Sequence, residues 1–365
     1  MINLNFFPSR PLALYMARLF VLRSLAVLAG LVIILLTLDL LGNSGKILAV
    51  PGNGDAELWR YVGLRLPQLI GRFLPFAILL GTLVTLATLN QNSEIVSMKA
   101  AGISAHQIIA PLILTAMFVA AAHFVFNERI VTRANAALEV WESAEFGPVP
   151  QGSGIQSNVS LAHRDDLIFA RQVTGRGDGV RFAGVTIYER EGGTLQRIVT
   201  GESGGRVPGG WLLRGVTSFD LNSGQQQRLP ELRFGADIRP DQFTLASVDP
   251  DQQDFWTLRQ SIAELRAVER PTAMLEANFW RKLAAPMSSI LMPLLGAIAA
   301  FGLARSGQLF ARAVIGMALG FAYFVADNFA LAMGNLGAYP PLLAAWGPFF
   351  LFMLIGETVL IRTEE

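Results

Sequence analysis

The chain has 365 residues, with 29 basic and 28 acidic side chains for a formal net charge of +1, and it contains no cysteine. Hydrophobic residues make up 52% and charged residues 16%, at a mean hydropathy of +0.43, whereas soluble domains carry about 25% charge. These values exclude a wholly soluble or disordered chain, a thiol nucleophile or thiolate metal site, and, through the near-neutral charge, a nucleic-acid binder.

A membrane helix needs roughly 20 apolar residues to cross about 30 Å of hydrocarbon. The first such block is residues 19–41, with Arg23 and Asp39 near its ends, where long side chains reach the interface. Its apolar stretch exceeds a signal-peptide core, and no small-residue cleavage site follows. Residues 73–90 form the second block and 108–126 the third, both without charge. Between them, residues 92–104 read as a short helix outside the bilayer. Asn92 or Ser93 can cap it, Glu94 suits its positive first turn, and Gly102 can end it. Ile95, Met98 and Ala101 share one stripe of that helix. By its residues alone this segment is either an interfacial connector or a docking knob for a soluble partner.

Residues 136–250 are hydrophilic and hold strand-like runs at 167–173, 182–190, 194–200, 211–219 and 228–234. Turn signals separate them, at 175–179, 191–193, 201–205, 208–210 and 221–224. Short strands at regular spacing with glycine turns predict an antiparallel β sandwich or roll. After three crossings it faces the side opposite the amino terminus. Leu258, Ile262, Leu265 and Val268 then recur at helical spacing, predicting an amphipathic helix over 256–269 that Pro271 ends. It lies on the outer membrane surface or against the β domain.

Residues 283–303, 313–333 and 342–361 give spans four to six, for six in all. Asp327 in span five and Glu357 in span six each cost roughly 2.5–3.5 kcal/mol at a helix centre. Glu357 lies near a helix end and reaches water, whereas Asp327 needs a structural partner, since no chain of acids and histidines forms a proton relay. Gly316 and Gly320 make a G-x-x-x-G pair that permits close helix approach.

Basic residues near the span ends show no clear positive-inside bias. Arg10, Arg18, Arg23, Lys99, Arg305, Arg312 and Arg362 lie on the amino-terminal side, and Lys46, Arg60, Arg65, Arg72, Arg129, Arg133, Arg281 and Lys282 on the other. The far-side cations either meet an anionic ligand or snorkel to lipid phosphates.

Catalytic patterns are lacking. The segment Gly201-Glu-Ser-Gly-Gly205 matches G-x-S-x-G, but no histidine follows His163, so it reads as a turn. His106, His123 and His163 have no metal spacing, and no G-x-x-x-x-G-K-[ST] phosphate loop exists. Extracting a lipid costs about 0.8 kcal/mol per CH₂, so any such work needs energy from another chain.

The stretches Leu74-Pro-Phe-Ala-Ile-Leu-Leu-Gly81 and Asn90-Gln-Asn-Ser-Glu-Ile-Val-Ser-Met-Lys-Ala-Ala-Gly102 resemble the LptF/LptG family of lipopolysaccharide export permeases. Leu303-Ala-Arg-Ser306 and Ala322-Tyr-Phe-Val-Ala-Asp-Asn328 resemble its LptG branch more than LptF. The resemblance covers essentially the whole chain. It implies an α-helical polytopic membrane protein with six transmembrane helices and an inserted, periplasmic, all-β jellyroll-like domain.

The implied divisions are spans one to three in 1–135, with a cytoplasmic coupling helix at 93–102, the β domain in 136–250, an amphipathic connector in 251–271, and spans four to six in 272–365. The setting implied is the Gram-negative inner membrane, with both termini cytoplasmic. The partners implied are an LptB-type ATPase dimer, an LptF-type permease, LptC- and LptA-type bridge proteins, lipopolysaccharide and membrane lipid, with no nucleic acid. The chain itself holds no cofactor or metal and has no catalytic residue; ATP and magnesium belong to the ATPase. Ser93, Glu94, Ser97, Met98, Ala101 and Gly102 are the implied ATPase-coupling residues. The family's lysines on the outer half of span one are represented here by Lys46 alone, so Arg129 and Arg133 join it as candidate lipopolysaccharide contacts; the two arginines pair with Glu128 or Glu139 if their role is structural. Other readings are a lipoprotein-release permease, which has fewer spans, and a membrane enzyme acting on envelope lipids or glycans, which would need a polar catalytic cluster.

Overall fold

The computed structural model describes residues 8–148, 156–175, 179–238, 249–267, 270–301 and 309–364. Its helices are α1 (Arg10–Leu48), α2 (Asp55–Gln91), α3 (Glu94–Ala100), α4 (Ala105–Phe126), a π-helical turn (Asn127–Val131), α5 (Thr132–Ser143), α6 (Phe255–Ala267), α7 (Ala273–Phe301), α8 (Leu309–Asn335) and α9 (Pro341–Glu364). Among the described residues, six strands lie between α5 and α6. The chain divides into two compact units, one of 1–42, 60–134 and 254–365, the other of 43–59 and 135–253.

Five helical segments among the described residues are long and apolar enough to cross a membrane: α1, α2, the continuous α4–α5 rod, α8 and α9. The remaining expected segment, 283–303, follows α7 as far as Phe301; residues 302 and 303 lie outside the described residues. The rods outrun the apolar blocks. At 39 residues α1 is about 58 Å long, well beyond the hydrocarbon thickness. The α2 helix starts at Asp55, long before its apolar block, because residues 55–72 hold helix-forming residues with Asp55 and Glu57 in the favourable first turn.

In the helical unit α7 packs against α4, α6, α8 and α9. Its inner residues Leu291, Leu294, Leu295 and Ala297 are buried in a cluster with Ile78, Leu79 and Leu86 of α2 and Ile108 and Leu112 of α4. Between membrane helices apolar burial has little sorting power, so small residues set the approach. A Cβ on Gly81 of α2 would lie 2.7 Å from Ser24 Cα and 2.8 Å from Ser24 N of α1. Those are backbone atoms, which cannot swing aside. Of the G-x-x-x-G pair, Gly320 on α8 receives the Leu79 side chain, whose Cδ2 would lie 2.0 Å from an added Cβ.

The strands are β1 (Gln156–His163), β2 (Asp166–Thr174), β3 (Arg181–Glu191), β4 (Thr194–Val207), β5 (Gly210–Asp220) and β6 (Gln226–Phe234). They form one antiparallel sheet in chain order. Ile168, Val185, Ile187, Val199, Trp211, Leu213 and Val216 share the buried face, by alternation except between Leu213 and Val216, where Gly215 at φ +63° resets the pattern. Opposite partners such as Ile168 with Ile187, and Ile187 with Val199, pair across it. The segment beyond β6 returns to the β1–β2 turn. Beyond β6, Asp237 accepts from Arg164 (2.7 Å) and lies 3.2 Å from His163 of β1. Next to it, buried Ile238 offers its carbonyl to Trp211 Nε1 and to Arg206, each at 3.0 Å. The expected inserted all-β domain is therefore present, as a sheet curled into a roll.

Two local expectations change. A sixth strand, β1, precedes the five read from the sequence. The glycines of 201–205 are not a turn but the middle of β4, where Gly204 pairs with Leu213. A Cβ at Gly204 would stand 2.7 Å from Leu213 Cδ2 and 2.8 Å from the Leu212 carbonyl oxygen, so the strand needs glycine there to pack that side chain.

Gly81→Ala is expected to push α1 off α2 and to lower unfolding stability by about 1–3 kcal/mol, the usual range for overpacking. Thermal unfolding in detergent checks it, with Gly30→Ala, where a Cβ meets nothing within 4 Å, as the unaffected comparison.

Candidate functional site

The expected short helix is there as α3. Ser93 turns the chain in the left-handed region (φ 58°), its N–H bonding back to the Asn90 carbonyl at 3.0 Å. Its side chain does not cap the helix, contrary to the expectation from sequence, because the left-handed turn leaves α2 and α3 only two residues apart. Asn92 instead donates to Glu94 at 3.2 Å. Gly102 ends the helix as expected, at φ +83°, and Ile103 N–H returns to the Met98 carbonyl at 3.1 Å. Ser104 and Gln107 then form a reciprocal capping box that starts α4.

This helix has two faces. Ile95 and Met98 are buried among the bundle residues, and Tyr15 of α1 donates to Glu94 at 3.4 Å. Ser93, Val96, Ser97, Lys99, Ala100, Ala101 and Gly102 are exposed, Val96 at 61%. Of the six expected coupling residues, Ser93, Ser97, Ala101 and Gly102 therefore lie outward, Glu94 is half-buried, and Met98 is the anchor. Ala101 leaves the Ile95–Met98 stripe. Val96, unread in the sequence, is the outward apolar residue.

The candidate cations are surface groups. Lys46 is exposed in the last turn of α1. Arg129 in the π turn and Arg133 in α5 are exposed, and neither makes an ion pair among the described residues. Their neighbour Glu128 pairs elsewhere, with Lys282 of α7 at 3.2 Å, and both are mostly buried. Its other oxygen accepts from the Phe255 N–H at the start of α6. One carboxylate thus ties the π turn, α6 and α7 together, and the arginines stay available to an anion.

Charges inside the bundle pair across helices. Asp39 of α1 takes Tyr61 (2.6 Å) and both the Nε and a terminal nitrogen of Arg65 (3.0 and 2.9 Å) from α2. Asp327 of α8 pairs with Arg281 of α7 at 3.2 Å, the structural partner expected for it. Glu357, half exposed, meets His106 of α4 at 2.9 Å. Sequence reading expected a structural partner for Asp327 without naming Arg281, and missed the partners of Asp39 and Glu357, although a charge on a membrane helix calls for one. Among the described residues no cluster of His, Cys, Asp and Glu could hold a metal.

A family model described as lipopolysaccharide export system permease LptF/LptG matches residues 14–362. The chain belongs to that family. It is 26% identical over 309 residues to the lipopolysaccharide export system permease protein LptG of Escherichia coli (strain K12), covering 83% of this chain and 84% of the relative. It is also 26% identical over 326 residues to LptG of Haemophilus influenzae (strain ATCC 51907 / DSM 11121 / KW20 / Rd), covering 86% and 89%. As an LptF/LptG-family member it is a multi-pass membrane permease, and its relatives fall on the LptG side, as the motifs at 303–306 and 322–328 imply.

Lys282→Met leaves Glu128 uncompensated. At full burial such a break costs about 3–5 kcal/mol. Loss of stability, with faster tryptic cleavage at Arg259 in α6, is the expected readout. Asp254 caps α6 through Trp256 N–H (3.0 Å), Thr257 N–H (2.9 Å) and the Thr257 hydroxyl (3.1 Å). The Thr257 N–H first, then its hydroxyl, the Trp256 N–H and Lys282, hold this carboxyl below the usual carboxylate range. The cap contribution is therefore full above the unfolded value of about 3.9 and is lost as pH falls through the lower folded value. Asp254→Ala should cost about 1 kcal/mol near neutral pH and remove that acid dependence, measured by hydrogen exchange of α6 amides.

Proposed function

We propose that this chain is the LptG-type half of an ABC transporter that extracts lipopolysaccharide from the outer leaflet of the Gram-negative inner membrane. A separate LptB-type ATPase dimer docks on α3 and supplies the work, since the sequence carries no phosphate loop of its own. An LptF-type permease completes the lipid cavity. The β roll is periplasmic and passes the lipid to LptC- and LptA-type bridge proteins. Both termini are cytoplasmic.

The observation that carries the reading is the form of α3. Seven residues are held between two membrane-length helices by Ile95 and Met98, and the exposed face shows Val96, Ser97, Lys99 and Ala100. A short helix gripped from below moves with its bundle, so force applied to its outer face reaches α2 and α4 as a rigid-body displacement. Glu94 sits at its first turn, half-buried and hydrogen-bonded to Tyr15 and Asn92, which suits a residue that sets the knob's tilt. Lys46, Arg129 and Arg133 are the cations offered to lipid phosphates, arginine with its two-pronged geometry.

Co-expression with the native ATPase tests the docking role. Glu94→Ala is expected to reduce ATPase co-purification or to uncouple hydrolysis from lipopolysaccharide release at least tenfold. Unchanged association together with unchanged export would remove α3 from the mechanism. A photo-crosslinker at Lys46 or Arg133 should capture lipopolysaccharide. Because the chain has no native cysteine, Asn222→Cys in the β5–β6 turn reports sidedness cleanly, and labelling by an impermeant maleimide from the periplasmic face is expected.

A further inference from the structure

The α6 helix has a depth and an orientation that its contacts fix. Its first residue, Phe255, stacks on Phe279 of α7 (centroids 4.5 Å apart) and meets Phe124 of α4 edge-on at 6.3 Å. Phe124 lies at the end of the apolar part of α4, and Phe279 stands about 6 Å before Leu283, where the charge-free stretch of α7 begins. Trp280 adds its ring against Phe279 at 5.4 Å. Rings gathered where the charge-free stretches begin, with Trp280 among them, suit the boundary between hydrocarbon and headgroups.

At the other end of α6, Arg266 pairs with Glu276 of α7 at 2.8 Å. The two contacts are about 16 Å apart along α6 but only about 4.5 Å apart along α7. With α7 as the fourth of the spans read from the sequence, this geometry lays α6 nearly in the membrane plane, at headgroup level.

Three faces follow from helical spacing. Leu258, Ser261, Ile262 and Leu265 are buried toward the bundle. Thr257, Gln260 and Glu264 form a polar, acidic exposed face. Trp256, Arg259, Ala263 and Arg266 form the third, also exposed, with Trp256 at 71%. Arg266 is engaged by Glu276, whereas Arg259 makes no ion pair among the described residues. A stripe with an open indole, a free guanidinium and no acid complements anionic headgroups, and the Glu264 face does not.

We propose that α6 is an interfacial helix whose Trp256–Arg259–Ala263–Arg266 stripe lies on the bilayer, Arg259 binding the phosphate of an anionic phospholipid beside the Trp256 indole. The helix at the junction between the β-strand segment and span four is thereby pinned to the membrane surface. The inference rests on the membrane-spanning fold and on neither the ATPase nor the cargo.

The test uses the full-length chain in nanodiscs of phosphatidylcholine with or without phosphatidylglycerol. A spin label on Ala263→Cys, unique in a cysteine-free chain, should report headgroup depth from its relative accessibility to oxygen and to a nickel chelate. Accessibility equal to that of a label at the exposed hairpin position Gly192→Cys would overturn the orientation. Shielding from both reagents would show that a protein covers the stripe, which also overturns it. Arg259→Gln should weaken phosphatidylglycerol retention, read by native mass spectrometry, about fivefold. Arg259→Lys should restore most of it, and the thermal midpoint should not move. Unchanged retention in Arg259→Gln, release by inorganic phosphate alone, or retention only of lipopolysaccharide would each overturn the headgroup assignment. Lost ATPase association with normal depth and lipid retention would count against the proposed function and leave this inference standing.

Discussion

A charge carried on a membrane helix has no water to turn to, and a neighbouring helix must answer it. Asp39 is met by Tyr61 and a two-pronged Arg65, Asp327 by Arg281, and Glu128 by Lys282 and a backbone N–H of α6. Each contact joins elements distant in sequence and fixes their relative height. Apolar packing alone cannot do so, because a leucine against lipid is nearly as comfortable as a leucine against leucine. The remaining precision comes from small residues, with Gly81 on the Ser24 backbone and Gly296 against Thr82.

The β roll obeys a different solvent. There, burial of Phe182, Trp211, Leu213 and their neighbours drives folding in the ordinary way, and glycine serves shape within a strand, at Gly204 under Leu213. Closing the roll falls to polar groups, with Asp237 beyond β6 reaching His163 and Arg164 at the β1–β2 turn and the Ile238 carbonyl capping the Trp211 indole. One chain thus uses hydrophobic burial to make a sheet and paired charges to order helices.

The surfaces that the proposed function uses lie where these pairings stop. The outer face of α3 and the side chains of Lys46, Arg129 and Arg133 are exposed, while the residues beside them, Met98 and Glu128, hold the scaffold. Under the proposed transport role this separates the groups that meet partners and lipid from those that keep the rods in register. Glu128 lies in a π-helical turn, where the extra residue per turn re-aims the side chains that follow, Arg129 and Arg133 among them.

Hydropathy, charge content and the missing cysteine determined the membrane class, the inserted β block and the short helix after span two. These depend on local composition and period, which the solvent reads directly. The motifs around Leu74, Glu94 and Asp327 added the family. What the sequence left open was which charge meets which. Glu128 lay within reach of Arg129 and Arg133 on its own helix yet binds Lys282, from a helix far along the chain. The glycines at 201–205 read as a turn and serve as strand, because the side chain they admit, Leu213, belongs to the next strand. The tilt of α6 follows only from contacts made at its two ends. Pairing, close approach and orientation are relations between segments, and their energies exist only once the helices and strands have been brought together.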